Sequence, residues 1–326
     1  MTLSVYLLRP PDPEPLATLR EKLSPDVELV LGPDLPEPAT YQVLVAGRPQ
    51  REHVTASPCL HTLIIPWSGM PEETRSLMLD FPGVSVHNLH HNAEPVAELA
   101  LALLLAAAKF VVPLDQALRR HDWTFRYEPP PTALLHGKTA LILGYGAIGR
   151  RLAQACRALG MSVAATRRSA AVRYEEEGVA IHPAAALPEL LPRADALIVT
   201  LPLTPETEGL LGEAELALLP EGAVLVNVGR GTIVEQEALY EALHRRRLRA
   251  AGLDVWYNYP PDAESRTDTA PADYPFPELE NVVMSPHRGG STDETGRLRM
   301  AHLARLLNAI ARGVEPPNRV DVAAGY

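Results

Sequence analysis

The chain reads as an α/β protein of two domains, a Rossmann-like doubly wound parallel sheet and a smaller α/β layer domain. Three observations predict this. Residues 139–168, TALILGYGAIGRRLAQACRALGMSVAATRR, run strand, glycine turn, helix, strand within one unit. Short apolar runs alternate with helix-compatible polar stretches on both sides of that unit. The 326 residues, 46% hydrophobic and 21% charged, are enough for two separate cores and argue against extended disorder.

Ahead of the glycine turn, residues 4–8, 42–46 and 62–65 read as strands of the smaller domain. The opening MTLSVYLLRPP lacks the basic start and long apolar region of a signal peptide and reads as a first strand. Residues 94–121 carry a long helical pattern, apolar on every side in its middle, which predicts burial between two domains or two subunits. Pro113 is expected to kink or interrupt it. After Arg168, strands are expected at 196–200, 223–228 and 250–255, with helices near 212–219 and 235–246. A proline-rich loop follows at 259–277, then a strand at 281–284 and a helix at 291–312 that crosses back to the first domain. The expected division is 1–98 completed by 290–326, with 99–289 as the dinucleotide-binding domain.

In the glycine turn, Gly144, Gly146 and Gly149 stand at the GxGxxG spacing, with Tyr145, Ala147 and Ile148 between them. The first glycine permits a tight turn, the second lets backbone approach a pyrophosphate, and the third lets helix pack on strand. The helix N-terminus faces the phosphate charge. An NAD site places an acidic residue at the end of the second strand. This chain has Thr166, Arg167, Arg168 and Ser169 there, a set of guanidiniums and hydroxyls suited to a 2′-phosphate. NADP is therefore the preferred cofactor, with NAD remaining open, since a solvated basic pair at a strand end is the alternative in a chain so rich in arginine.

A net charge of −10 disfavours nucleic acid as a partner and leaves local basic groups to hold any anionic substrate. The two cysteines, Cys59 and Cys156, are spaced like neither a metal site nor a disulfide framework, so no metal is expected and a reducing cytoplasm fits. The longest apolar run, 99–108, falls short of the roughly 20 residues a membrane span requires, so no membrane association is expected. Abundant proline and arginine do not identify a function.

Ligands of open parallel sheets sit beyond the carboxyl ends of the strands. Three such ends carry candidates: Arg230 in NVGRG, Asp254 in GLDV and His287 in SPHRGG. An Arg to clamp a carboxylate and polarise a carbonyl, with a His to pass a proton, is what hydride transfer to a 2-oxo acid requires. For Asp254 a strand-end cap is an equal alternative.

With HGKT at 136–139, GYGAIG, LPLTPET at 201–207, NVGRGTIV, GLDV and SPH in this order, the chain resembles the D-isomer-specific 2-hydroxyacid dehydrogenases over nearly its whole length. The resemblance implies a flavodoxin-like substrate domain and a Rossmann-like cofactor domain with a cleft between them, in a homodimer. It makes Arg230 the substrate ligand, His287 the acid and Asp254 a supporting residue near the nicotinamide. It extends the cofactor contacts to Leu201, Pro202, Thr207, Val228, Gly229 and Gly289, alongside Arg230, Asp254 and His287. The implied reaction is NADP(H)- or NAD(H)-dependent interconversion of a small 2-oxo acid and its D-2-hydroxy acid, such as glyoxylate or hydroxypyruvate.

The pattern also breaks. Where the family places a Glu that pairs with the histidine, DVWYNYP has Tyr259. Loss of that carboxylate lowers the histidine pKa by roughly one to three units relative to the paired state. Either Asp262 or Glu278 takes the role, or Tyr259 orients the ring as a neutral partner, or catalysis is impaired. In the substrate loop, Trp67, Ser68 and Gly69 stand between Pro66 and Met70, with Trp67 narrowing the pocket or packing between domains. His90 and His91 touch substrate or are polar hinge residues. Two alternatives to the reductase follow from the missing Glu: a dinucleotide-sensing binding protein of weak chemistry, and a formate-type dehydrogenase.

Overall fold

Short Val, Leu and Ile runs separated by proline-rich and acidic stretches build the first sheet. In the computed structural model, which describes residues 2–325, β1 (Leu3–Leu7) is followed by α1 (Pro13–Lys22), β2 (Val27–Leu31), β3 (Val43–Val45), α2 (Arg51–Thr55), β4 (Thr62–Ile65), α3 (Glu72–Met78) and β5 (Ser85–Asn88). The strands are all parallel, in the order β2-β1-β3-β4-β5, the flavodoxin-type order. α1 starts where Pro13 follows Asp12, with Glu14 in its first turn and Arg20 and Lys22 in its last, each charge complementing the helix dipole. β2 and β5 lack a sequence-predicted counterpart. They lie at the two sheet edges, β2 half-exposed and β5 carrying His87 and Asn88, so neither presents a continuous buried apolar run.

The second unit, Ala93–Gly290, opens with α4 (Ala93–Lys109) and α5 (Val111–Arg119), followed by α6 (Thr124–Tyr127). The expected interruption of this long helix falls at Phe110 rather than Pro113. Phe110 adopts a left-handed conformation, φ 58°, and the helix pair bends by 68° there. Pro113 sits in the first turn of α5, where its missing N–H leaves no hydrogen bond unmade. α4 meets its apolar faces inside its own unit, on α7 (Ala147–Ala158), β11 (Ala223–Asn227) and β12 (Leu248–Leu253). Gly252 lets the helix come close, because a Cβ there would stand 2.7 Å from the Leu103 Cβ.

Between these elements run β6 (Thr139–Leu143), β7 (Ser162–Arg167), β8 (Tyr174–Glu176), β9 (Val179–Pro183), α8 (Leu187–Leu190), β10 (Ala196–Val199) and α9 (Glu213–Leu218); α10 (Gln236–His244) and β13 (Val282–Met284) complete the unit. The sheet order is β13-β12-β11-β10-β6-β7-β9-β8, parallel except for the β8–β9 hairpin. The hairpin lies outside the sequence expectation; every strand expected after Arg168 is present. The strand order reverses between β6 and β10, the switch point at which such sheets hold a ligand. Buried side chains line both sheet faces, Ile142 and Ile198 on one and Leu141 and Leu197 on the other.

The chain then returns to the first unit, which comprises the described residues up to Asn92 and from Ser291 onward. The division thus precedes α4, whereas a boundary after residue 98 falls inside that helix. α11 (Thr295–Ala311) puts Met300, Leu303, Ala304, Leu306 and Leu307 against Leu3, Val5, Leu7, Leu19 and Val43. Asn308 ties the end of α1, accepting the Ser24 N–H at 2.8 Å and donating to the Lys22 carbonyl at 2.8 Å. The tail lines the edge of β5 through Val320 N–H to Val86 O at 2.8 Å. No single helix among the described residues is long and apolar enough to cross a membrane; α4 and α5 pass that test only as a bent pair, by length and composition.

Candidate active site

Register brings the glycine turn to the switch point. Leu143 pairs with Thr166 on one side and Val199 on the other, so Gly144, Thr166 and Thr200 meet at the carboxyl end. The Gly144 and Tyr145 N–H groups donate to Thr166 O at 3.2 and 2.9 Å, and the Thr200 hydroxyl lies 2.8 Å from Gly144 O. Gly144 has φ +98°, which an L side chain rarely adopts. A Cβ on Gly149 would stand 2.1 Å from Gly144 O, which makes α7 pack directly on the turn. A Cβ on Gly146 would meet nothing within 4 Å. Gly146 caps α7, with no side-chain cap bond and no acidic residue in the first turn. The start of α7 therefore offers open space beside the positive end of the helix, which fits a dinucleotide pyrophosphate. Tyr145 turns into the core under the Arg150 guanidinium, 4.5 Å from its ring, while Ala147 and Ile148 are half-buried in the first turn.

The same register aligns the other strand ends, since Asn227 pairs with Leu253 and Leu253 with Met284. Arg230, Asp254 and His287 follow these ends. Asn227 shapes the first loop: its Oδ1 accepts the Gly229 N–H at 3.0 Å, its Nδ2 donates to Arg230 O at 2.9 Å, and its carbonyl accepts the Asp254 N–H at 3.0 Å. Val228 and Gly229 are buried there, and a Cβ on Gly229 would stand 2.6 Å from Leu201 O. In the 201–207 loop, Thr207 Oγ1 bonds Pro202 O at 2.7 Å and accepts the Thr204 N–H at 2.8 Å, so its hydroxyl serves the loop itself.

Asp254 is 2% exposed. Its carboxylate accepts the Ser285 hydroxyl at 2.5 Å and the Arg288 and Gly289 N–H groups at 2.8 and 2.9 Å. It thereby clamps the loop that bears His287, whose backbone is left-handed at φ 57°. Such a conformation costs a non-glycine residue of order 1–3 kcal/mol and persists where its surroundings fix it.

His287 Nδ1 lies 3.0 Å from Tyr259 Oη, and the Trp256 N–H donates to that same oxygen at 3.1 Å. Tyr259 thus stands beside the histidine, as the neutral-partner alternative requires. Asp262 is instead occupied by the Ser265 N–H and hydroxyl at 2.8 and 2.7 Å, and Glu278 lies exposed in the turn Phe276–Glu278. Partial burial holds the His287 imidazole below its usual pKa, the Arg230 charge lowers it further, and Asp254 opposes both. Burial raises the Tyr259 phenol, against the Trp256 N–H and Arg230, with Asp254 adding to the rise. Arg230 is half-buried, its Nη1 donating to its neighbour Gly229 O at 2.7 Å.

At the end of β7, Thr166 is buried while Arg168 and Ser169 are exposed. Arg167 leans on the hairpin, 3.3 Å from Tyr174 Oη and 4.0 Å from Glu176. Sequence reasoning missed Asn227, Trp256, Ser285 and this hairpin. The visible signal for Asn227 was a polar residue closing a buried apolar run.

In the first unit, the Trp67 indole lies where a Gly47 side chain would stand, so it packs within its own unit. Ser68 O accepts the Asn88 Nδ2–H at 2.7 Å, and Gly69 is half-buried. His90 is half-buried, and burial lowers its pKa; His91 is buried, 3.5 Å from Arg299 Nε.

Residues 101–289 match the D-isomer specific 2-hydroxyacid dehydrogenase NAD binding domain. The chain belongs to this family. A glyoxylate reductase from Aeropyrum pernix is 41% identical over 234 residues, covering 70% of this chain and 66% of that protein. A glyoxylate/hydroxypyruvate reductase B from Enterobacter is 35% identical over 74% of this chain and 70% of its own length. The matched stretch thus spans just under two thirds of the Aeropyrum reductase. A D-isomer specific 2-hydroxyacid dehydrogenase from Xanthobacter autotrophicus has the same fold over the whole of both chains, with a TM-score of 0.80 at 23% identity.

Proposed function

We propose that this protein reduces a small 2-oxo acid, glyoxylate or hydroxypyruvate, to its D-2-hydroxy acid with a nicotinamide cofactor. The observation that carries the reading is the arrangement at the carboxyl side of one sheet: Arg230, Asp254 and His287 follow three neighbouring strands of the unit whose switch point holds the glycine cradle. Gly144, Gly146 and Gly149 would hold the cofactor pyrophosphate at the start of α7. The bound nicotinamide would supply the hydride. Arg230 draws the substrate carboxylate and stabilises charge growing on the carbonyl oxygen, while His287 delivers the proton. Asp254 acts by fixing the His287 loop.

NADP is the preferred cofactor in this reading, because Arg168 and Ser169 are exposed at the end of β7 and no carboxylate stands in that tetrapeptide. A homodimer is supported by exposed Val111, Leu118, Trp123, Tyr127 and Leu134 along one stretch, a concentration of apolar side chains that a monomer leaves wet. A cytoplasmic setting suits the two free cysteines. The test is turnover of NADPH and NADH with a panel of 2-oxo acids, followed by nicotinamide absorbance, with formate as a separate substrate. Reduction of glyoxylate or hydroxypyruvate is expected; cofactor binding without turnover of any acid overturns the reading in favour of a sensor.

A further inference from the structure

We propose that Tyr259 is a positioning residue that donates its phenolic hydrogen to His287 Nδ1, fixes the imidazole with its hydrogen on Nε2, and replaces the proton that Nε2 gives away. The inference rests on the reductase reading above. Its starting point is a pair of contacts on one oxygen: the Trp256 N–H donates to Tyr259 Oη at 3.1 Å, and His287 Nδ1 lies 3.0 Å from that oxygen. With the backbone donor occupying its acceptor side, the phenol has its own O–H left for the ring nitrogen. The chemical matching agrees, because a phenol is a far stronger acid than a neutral imidazole N–H and imidazole is the stronger base.

Trp256 holds both partners at once. Its backbone N–H fixes the phenolic oxygen, and its indole N–H donates at 2.8 Å to Ser285 O, in the loop that carries His287. Asp254 secures the other side of that loop through Ser285, Arg288 and Gly289. The Tyr259–His287 contact is therefore braced from both strand ends, although each residue keeps part of its surface open to solvent. The charged groups that act on the pair are Arg230 and Asp254, and the Asp254 oxygens are already engaged.

The balance of the step is simple. As hydride reaches the carbonyl carbon, the C=O π pair moves to oxygen, the Nε2–H bond breaks and an O–H bond forms. The O–H bond of Tyr259 breaks as Nδ1 gains a hydrogen, so the ring stays neutral throughout. The phenolate left behind faces Arg230 and the Trp256 N–H, both of which stabilise its charge; it takes the hydrogen back from Nδ1 as Nε2 gains a proton from water, which restores the starting pair. The donor is thus uncharged before the reaction. Reduction then does not need an imidazolium, which burial and Arg230 disfavour here.

The experiment joins a tautomer measurement to a pH profile. In cofactor-free protein, ¹⁵N NMR of His287 should report hydrogen on Nε2 and none on Nδ1, and Tyr259→Phe should shift the Nδ1 signal as its hydrogen bond is lost. In turnover, Tyr259→Phe should cut kcat about 100-fold at mildly alkaline pH. KM should move less than about threefold. The remaining activity should rise as pH falls, following the imidazolium. Tyr259→Glu should restore kcat near neutrality, since a carboxylate raises the histidine pKa. Hydrogen on Nδ1 in the wild type, or a Tyr259→Phe enzyme with unchanged kcat and pH profile, overturns the inference. Should the wild type reduce no 2-oxo acid, the reductase reading falls, while the NMR result still decides which atom holds the hydrogen.

Discussion

Gly289 donates its N–H to Asp254 Oδ2 at 2.9 Å, and a Cβ on Gly289 would stand 2.8 Å from that same oxygen. The contact leaves room for a hydrogen bond and none for a side chain. Gly289→Ala should therefore push the loop off the carboxylate, lowering kcat while cofactor affinity falls less. Asp254→Asn leaves at least one N–H of Arg288 or Gly289 facing an amide N–H. It should destabilise the protein by about 1–3 kcal/mol in a denaturant titration.

Arg230→Lys keeps the charge and loses the planar fork. The expected result is a fall in kcat/KM for 2-oxo acids of about 100-fold, comparable to loss of one oxyanion donor, with cofactor dissociation constants nearly unchanged. Titration of cofactor by fluorescence beside steady-state kinetics separates the two effects.

Gly149→Ala places a Cβ against the Gly144 carbonyl, a backbone atom that cannot step aside. Overpacking of this kind costs about 1–3 kcal/mol. Thermal melts should show it, and weaker binding of both NADPH and NADH should accompany it.

Arg168→Ser tests the cofactor preference by itself. Loss of a charge-assisted contact to a 2′-phosphate should weaken NADPH about tenfold or more and leave NADH as it was. Equal loss for both cofactors, or none, would remove NADP preference from the functional reading.

Burial lowers the pKa of His87, His90, His182 and His287 from the usual 6.5. Below 6.5 the unfolded chain binds these protons first, so stability is full above that pH and declines as pH falls toward the folded-state values. His90→Gln should make Tm fall less steeply across the acid range. A slope unchanged by the substitution would exclude His90 from this effect.

The parts of this molecule that were legible in the sequence are those whose causes are local. Gly144, Gly146 and Gly149 announce a turn, a phosphate approach and a helix contact within six residues of chain, and the turn and the helix contact are seen in the structure, with open space at Gly146. Asp254 looked equally like a strand-end cap, because its partners Ser285, Arg288 and Gly289 are remote in sequence. The Tyr259 partner was one alternative among several for the same reason. Pro113 drew attention as a breaker, yet the bend came at Phe110, because a proline in a first helical turn does no harm. The β8–β9 hairpin escaped notice since YEE offers almost no apolar signal.

One apolar side of the first sheet is covered by Met300, Leu303, Ala304, Leu306 and Leu307 of α11. A ribosome makes those residues after every strand of both sheets. Leu3, Val5 and Leu7 must wait for α11 before they are covered, whereas the second unit is complete at Gly290. Folding during synthesis should therefore run out of sequence order, the interrupted unit closing last. Truncation within α11 should leave a nascent chain with a protease-resistant middle and a digestible beginning.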